Sequence, residues 1–133
     1  MHRCGFTIGF ENLRHVTQGT EFDKEGKMKK VLVFTGSRAN YSSTRSIMKA
    51  VLEHPELELQ TVVGGAALLD RYGNIEKLMA EDDIPIHAKF YMILEGETPA
   101  TMAKSTGLGL IDLSMIFDNL TPDVVVCHRG RPI

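Results

Sequence analysis

Cysteine is scarce in this sequence. Cys4 and Cys127 are the two among 133 residues. They stand near opposite ends without the close spacing of a metal-ligating pair, so no metal site is expected and two reduced thiols in a cytosolic protein fit best. Charge of one sign is also lacking. A formal net charge of -2 and a pI near 6.2 give no electrostatic reason to expect nucleic acid as a partner. No apolar run is long enough to span a bilayer, so no membrane association is expected. The apolar cluster Phe6–Phe10 is broken by Thr7 and Gly9 and lacks the uninterrupted core of a signal peptide. A cytoplasmic location follows as the expectation. The chain is long enough for one domain with a real core, but not for two of ordinary size. Its hydrophobic fraction of 43% and charged fraction of 24% are those of a globular protein.

Residues 1–27 carry no sustained period and are expected to be a disordered extension, with Met28 as the natural start of the folded part, residues 28–133. From Met28 the chain alternates between strand and helix signals. Val31-Leu32-Val33-Phe34 is continuously apolar, as in a parallel strand covered on both faces, and predicts a first strand over 30–35. Thr35-Gly36-Ser37-Arg38 breaks it. Ser42 and Ser43 are read as the cap of a helix over 42–54 with Ile47, Met48, Val51 and Leu52 as its apolar stripe, closed by Pro55. A second strand over 57–63 ends at Gly64-Gly65. A short helical turn over 66–70 and a second helix from Ile75 to about Glu81 follow, with Gly73-Asn74 as punctuation. A third strand lies within 84–93, restricted by Pro85. Thr98-Pro99 starts a helix whose middle is weakened by Gly107 and Gly109, which predicts a kink or a split. Thr121-Pro122 ends it before a fourth buried strand at 123–127.

This βαβαβαβ order predicts an α/β fold with an open, parallel, Rossmann-like sheet and strand order 3-2-1-4. The switch point then falls between strands one and four, with the loops 36–41 and 127–131 facing each other across it. Arg38, His128, Arg129 and Arg131 converge there, a set of cations suited to a phosphate-bearing ligand. Other clusters point to structure. Glu81-Asp82-Asp83 reads as a solvated helix end, and Glu95 and Glu97 as negative charge favouring the helix start at Thr98. His87 reads as a residue lining the sheet surface, and the methionines as core fillers.

The segments TGSRANYS, VVGGAALLDRYGN, EGETPATMAKSTGLGL and LTPDVVVCH occur in an order that resembles the N-terminal part of the hydrolysing UDP-N-acetylglucosamine 2-epimerases. The resemblance runs from Lys29 to about His128. It implies the first half of the N-terminal Rossmann-like domain of a GT-B type fold, with a UDP-sugar in the cleft between two such domains. It further implies a reaction in which UDP is eliminated to leave a glycal, which water converts into N-acetylmannosamine in sialic acid or related amino-sugar biosynthesis. No cofactor is implied, and homo-oligomers are the family habit. Arg38, Ala39, Asn40, His128 and Arg131 are the implied substrate-binding residues. No residue here is assigned a catalytic role.

The sequence departs from the family at two places. Asn40 stands where the family has an aspartate, and it cannot serve as a carboxylate base. After strand four the family reads His-Gly-Asp-Arg, whereas this chain reads His128-Arg129-Gly130-Arg131. The expectation is therefore a truncated, inactive fragment, marginally stable and prone to self-association through the apolar edge at 124–126. The alternatives are the N-terminal half of a GT-B glycosyltransferase and a non-catalytic nucleotide-binding module.

Overall fold

A computed structural model of the chain describes residues 27–128. The expected N-terminal extension (apart from Lys27) and Arg129 and Arg131 lie outside them. Strand β1 (Lys29–Thr35) continues into helix α1 (Arg38–Glu53), β2 (Leu57–Gly64), two short 3-10 turns at Gly65–Leu68 and Asp70–Tyr72, and α2 (Glu76–Glu81). Strand β3 (Ala88–Phe90), helix α3 (Pro99–Leu120) and strand β4 (Val124–Cys127) complete the order. All strand pairs are parallel, and the sheet order is β3-β2-β1-β4, as the alternation predicts. The register sets Val31 beside Leu59 on one side and Val124 on the other.

The apolar run of β1 serves two cores at once, because successive side chains of a strand leave opposite faces. Val31 and Val33 join Leu59 and Val63 beneath Tyr41, Met48 and Val51 of α1 and Met79 of α2. On the other face, Leu32, Val62 and Phe90 pack with Leu113, Ile116 and Leu120 of α3. Leu32, Val33, Met48, Val62 and Met79 are wholly shielded from water. Each contributes on the order of 1.5–3 kcal/mol by that burial. Gln60, in the middle of β2, is buried on the α3 side and donates its Nε2 to the Leu120 carbonyl at 2.9 Å, so one unsatisfied carbonyl of the helix end is met from inside the sheet. The α3–β4 junction is fixed to β1 by a reciprocal pair: Lys30 N donates to the Asp123 carboxylate at 2.8 Å, and Asp123 N donates to the Lys30 carbonyl at 2.9 Å.

Three local expectations are corrected. Helix α1 starts four residues before Ser42, because Ser37 is the N-cap and its side chain accepts from the Asn40 amide. Ser42 and Ser43 are instead interior residues whose hydroxyls donate back to the carbonyls of Arg38 and Ala39. The buried stripe is Tyr41, Thr44, Met48 and Val51, while Ile47 and Leu52 are exposed. Helix α3 is continuous despite Gly107 and Gly109. Gly109 is there for space, since a Cβ would stand 2.9 Å from the Met92 sulfur. His87 does more than line a surface. Its Nδ1 accepts the Thr61 N–H at 3.0 Å, supplying a partner just ahead of the three-residue pairing of β2 with β3.

Phe90 occupies the place that Gly64 leaves open. Its ring stacks on Phe34 with centroids 5.8 Å apart, and a Cβ at Gly64 would lie 2.6 Å from it. Gly64→Ala is therefore expected to destabilise the fold by about 1–3 kcal/mol, measured as a lowered urea midpoint at unchanged slope. On the outer surface, Leu110, Ile111 and Met115 of α3 and Val124 and Val125 of β4 are all exposed. Apolar surface of this extent favours association. Sedimentation velocity over a concentration range is expected to show self-association that Ile111→Glu with Met115→Glu reduces. A concentration-independent monomer would contradict that expectation. Among the described residues no helix is long and apolar enough to cross a membrane.

Candidate functional site

The loops that follow β1, β2 and β3 meet at the carboxyl edge of the sheet, the edge at which open α/β sheets bind ligands. They are pinned together by backbone contacts. Gly65 takes a left-handed conformation with φ 61, and Ala67 N donates to the Gly36 carbonyl at 3.2 Å, so the loop after β2 lies on the loop after β1. Ile75 N in turn donates to the Ala67 carbonyl. Gly73 is also left-handed, with φ 75, and a Cβ there would come within 2.9 Å of Arg38 Nη1. The Tyr72-Gly73-Asn74 segment thus does two things: it turns the chain and makes room for the Arg38 guanidinium.

These loops border a cleft of about 1100 Å³. Ser37, Arg38 and Ala39 form one wall, Arg71 and Tyr72 the next, and residues 92–97 with Met102 and Ser105 the far side. The Arg71 guanidinium lies over the Tyr72 ring, 5.0 Å from its centroid. On the far side the backbone is sharply turned: Gly96 has φ 122 and Glu97 has φ 43. Ser105 Oγ accepts the Leu94 N–H at 2.9 Å, and Thr98 and Thr101 exchange side-chain and backbone hydrogen bonds in a capping box. Two guanidiniums and two carboxylates, Glu95 and Glu97, therefore rim an otherwise largely apolar floor. Arg38 is exposed and, among the described residues, makes no ion pair, which leaves its fork free for a bidentate acceptor.

Across the switch point, Asn40 of α1 reaches His128 just after β4. Asn40 Nδ2 lies 3.1 Å from His128 Nδ1 and 3.5 Å from the His128 carbonyl, while the Ser37 hydroxyl donates to Asn40 Oδ1 at 2.7 Å. Of the five residues expected to bind substrate, Arg38 and Ala39 line the cleft and Asn40 and His128 touch each other beside it. Arg131 lies outside the described residues.

No family model matches the chain. The UDP-N-acetylglucosamine 2-epimerase of Neisseria meningitidis serogroup B is 27% identical over 104 residues, 78% of this chain and 27% of that one. A UDP-N,N'-diacetylbacillosamine 2-epimerase (hydrolyzing) of Legionella pneumophila is 29% identical over the same share of this chain and 28% of its own. This chain is thus similar in sequence to UDP-N-acetylglucosamine 2-epimerases. It spans about a quarter of the length of the curated relatives it matches. A crystal structure of UDP-N-acetylglucosamine 2-epimerase superposes with a TM-score of 0.64 at 20% identity, covering 79% of this chain and 28% of that one. The parallel sheet with helices on both faces is thus an open α/β fold shared with part of that structure.

Sequence reasoning missed two parts of the cleft. Arg71 and Tyr72 entered only as part of the segment VVGGAALLDRYGN, and Glu95 and Glu97 only as helix-start charges; their placement on one cleft needs the loops docked. It also misread Asp82, which is not solvated. Its side chain, 10% exposed, accepts from the Tyr41 hydroxyl at 2.5 Å, from Lys49 Nζ at 2.9 Å and from Arg45. This cluster ties α1, whose N-terminus carries Arg38, to the end of α2. The hydrogen bonds from Arg45, Tyr41 and Lys49 hold the Asp82 carboxyl well below the usual carboxylate range. Burial first, then the Asp82 hydrogen bond, pushes the Tyr41 phenol well above its ordinary value.

The signs of these two shifts differ. A depressed carboxylate contributes stability above its unfolded pKa of about 3.9, and that contribution is lost as pH falls toward the folded value. A raised phenol contributes below its unfolded pKa of about 10, and that is lost as pH rises toward the folded value. Urea midpoints measured against pH should fall at both ends. Asp82→Asn is expected to flatten the acid limb below about pH 4 and Tyr41→Phe the alkaline limb above about pH 10.

Proposed function

We propose that this chain supplies the substrate-facing first part of a hydrolysing UDP-N-acetylglucosamine 2-epimerase, a cytoplasmic enzyme of amino-sugar biosynthesis. The observation that carries this reading is the position of Arg38: at the N-terminus of α1, on the carboxyl edge of the sheet, exposed above the cleft and free of ion pairs among the described residues. A helix N-terminus and an adjacent guanidinium form an anion site that a diphosphate satisfies. The similarity to the Neisseria and Legionella enzymes supports UDP-sugars as the ligand class.

In the proposed reaction, the proton at C2 of the sugar is removed and the bond from C1 to the UDP oxygen breaks, leaving a glycal. Water then adds across the double bond to give N-acetylmannosamine. The departing diphosphate gathers negative charge, and fixed cations lower the barrier in proportion to how well they meet it. Arg38 fills that role in this reading. Asn40 and Ala39 contact the sugar side, with Asn40 offering hydrogen bonds in place of proton transfer. The acid and base functions are not assigned to this segment, and we propose that it binds UDP-sugar without turning it over.

Isothermal titration with UDP-N-acetylglucosamine tests the reading. Arg38→Ala is expected to weaken binding by at least tenfold, since a charge-assisted hydrogen bond is worth about 1.5–3 kcal/mol. UDP release should stay at the buffer rate for both proteins. Equal affinity of the variant and the parent would remove Arg38 from the site. Sugar transfer that depends on an added acceptor would favour a GT-B glycosyltransferase instead.

A further inference from the structure

Ser37, Asn40 and His128 form a hydrogen-bonded chain whose direction is fixed from its helix end. The Asn40 N–H donates to Ser37 Oγ at 3.2 Å as the cap of α1, and the Ser37 hydroxyl proton goes to Asn40 Oδ1 at 2.7 Å. With Oδ1 so engaged, the Asn40 amide presents its Nδ2 to His128, 3.1 Å from ring Nδ1 and 3.5 Å from the carbonyl oxygen. The reversed amide would set Oδ1 against that carbonyl, acceptor to acceptor, and would leave the Ser37 proton without its partner. Amide orientation is assigned by such a network, and this orientation gives both the Ser37 proton and the His128 carbonyl a partner.

We propose that Asn40 is a positioning residue that holds His128 as the neutral Nε2–H tautomer, so that His128 meets ligand as a hydrogen-bond donor and not as a base. An imidazole whose Nδ1 accepts a hydrogen bond carries its proton on Nε2. To act as a base through Nε2 the ring would need its proton on Nδ1, where it would face the amide N–H and lose the bond. His128 is exposed at the switch point, so Nε2 is the nitrogen open to a ligand. The chemistry it fits is an acceptor oxygen of the diphosphate or of the sugar. The inference deepens the UDP-sugar reading of this site, but its test is made without ligand, so the two fail separately.

The experiment is a two-bond proton–nitrogen spectrum of the protein carrying ¹⁵N-histidine, with His128 assigned through His128→Gln. His54 and His87 serve as references, because their Nδ1 atoms accept backbone N–H groups of Glu56 and Thr61, which can only donate. In the parent protein His128 should match those two in pattern, with Nδ1 unprotonated. Asn40→Asp is isosteric and reverses the polarity of the contact. It should move a proton onto His128 Nδ1 while leaving His54 and His87 unchanged. A carboxylate in the first turn of α1 favours the helix, so the fold should survive. Asn40→Ala, which only removes the contact, should shift the His128 Nδ1 resonance toward that of free histidine. A parent His128 protonated on Nδ1, or a His128 signal insensitive to both substitutions, would overturn the proposal.

Discussion

The burial of β1 on both faces is the constraint from which the rest follows. A strand flanked by β2 and β4 and covered above and below cannot leave any of its backbone groups unpaired, and an apolar residue is favoured at almost every position. Val31 and Val33 commit α1 and α2 to one side, and Leu32 commits α3 to the other. Once that is set, the chain must leave the sheet at Thr35 through a loop short enough for α1 to fold back over Val33. Gly36 and Ser37 are that loop, and Arg38 opens the helix. The site residues are therefore where they are because the core next to them allows no other exit.

The loops at the carboxyl edge carry function because the core already holds their ends. Backbone contacts lock the first two loops together, from Gly36 through Ala67 to Ile75, at distances of 3.1–3.2 Å. Left-handed glycines at 65 and 73 permit the close approach, and at Gly73 the missing Cβ is the space Arg38 uses. The Asp82 cluster then clamps α1 from its middle, through Tyr41, Arg45 and Lys49, to the end of α2. An arginine on a long side chain loses much rotamer freedom when it binds a diphosphate. Mounting it on a helix whose first turn is capped and clamped lowers that cost.

The architecture was legible in the sequence because it rests on periodicity. The run at 31–34, the strand ends at Gly64-Gly65 and Thr121-Pro122, and the Thr98-Pro99 start each announce an element, and order 3-2-1-4 follows from right-handed crossovers. What was not legible depended on choices between chemically equal candidates or on distant partners. Ser37 and Ser42 are equally good caps on paper; Ser37 wins because starting at Arg38 brings Tyr41 and Thr44 under the same buried stripe as Met48. Asp82 looks like its neighbours Glu81 and Asp83, and only the docking of α2 on α1 gives it three donors. Gly109 reads as a helix weakness until Phe90 of β3 and Met92 just after it arrive to occupy the space. Arg38 and His128 could be singled out because a switch point is a topological fact, whereas Ala39 and Asn40 came from the family resemblance. Arg71 and Glu95 could not, since their place on the cleft depends on loop conformation.

A helix cap is usually treated as a local device, satisfying N–H groups that the helix cannot. Here the cap residue has one proton to give and gives it to Asn40, and this single choice propagates. The amide oxygen is turned to Ser37, so the amide nitrogen faces His128, and in the proposed network the ring accepts at Nδ1 and donates at Nε2. The polarity of a side chain after β4 is thereby set by the first residue before α1, 91 positions earlier in the chain. An aspartate at position 40 would have left the ring free to carry a proton on Nδ1 and to take one at Nε2. An asparagine removes that freedom without moving an atom, because the two side chains have the same shape. In a site built from loops held by a rigid core, a change of hydrogen-bond direction is enough to turn a group that could move protons into one that only binds.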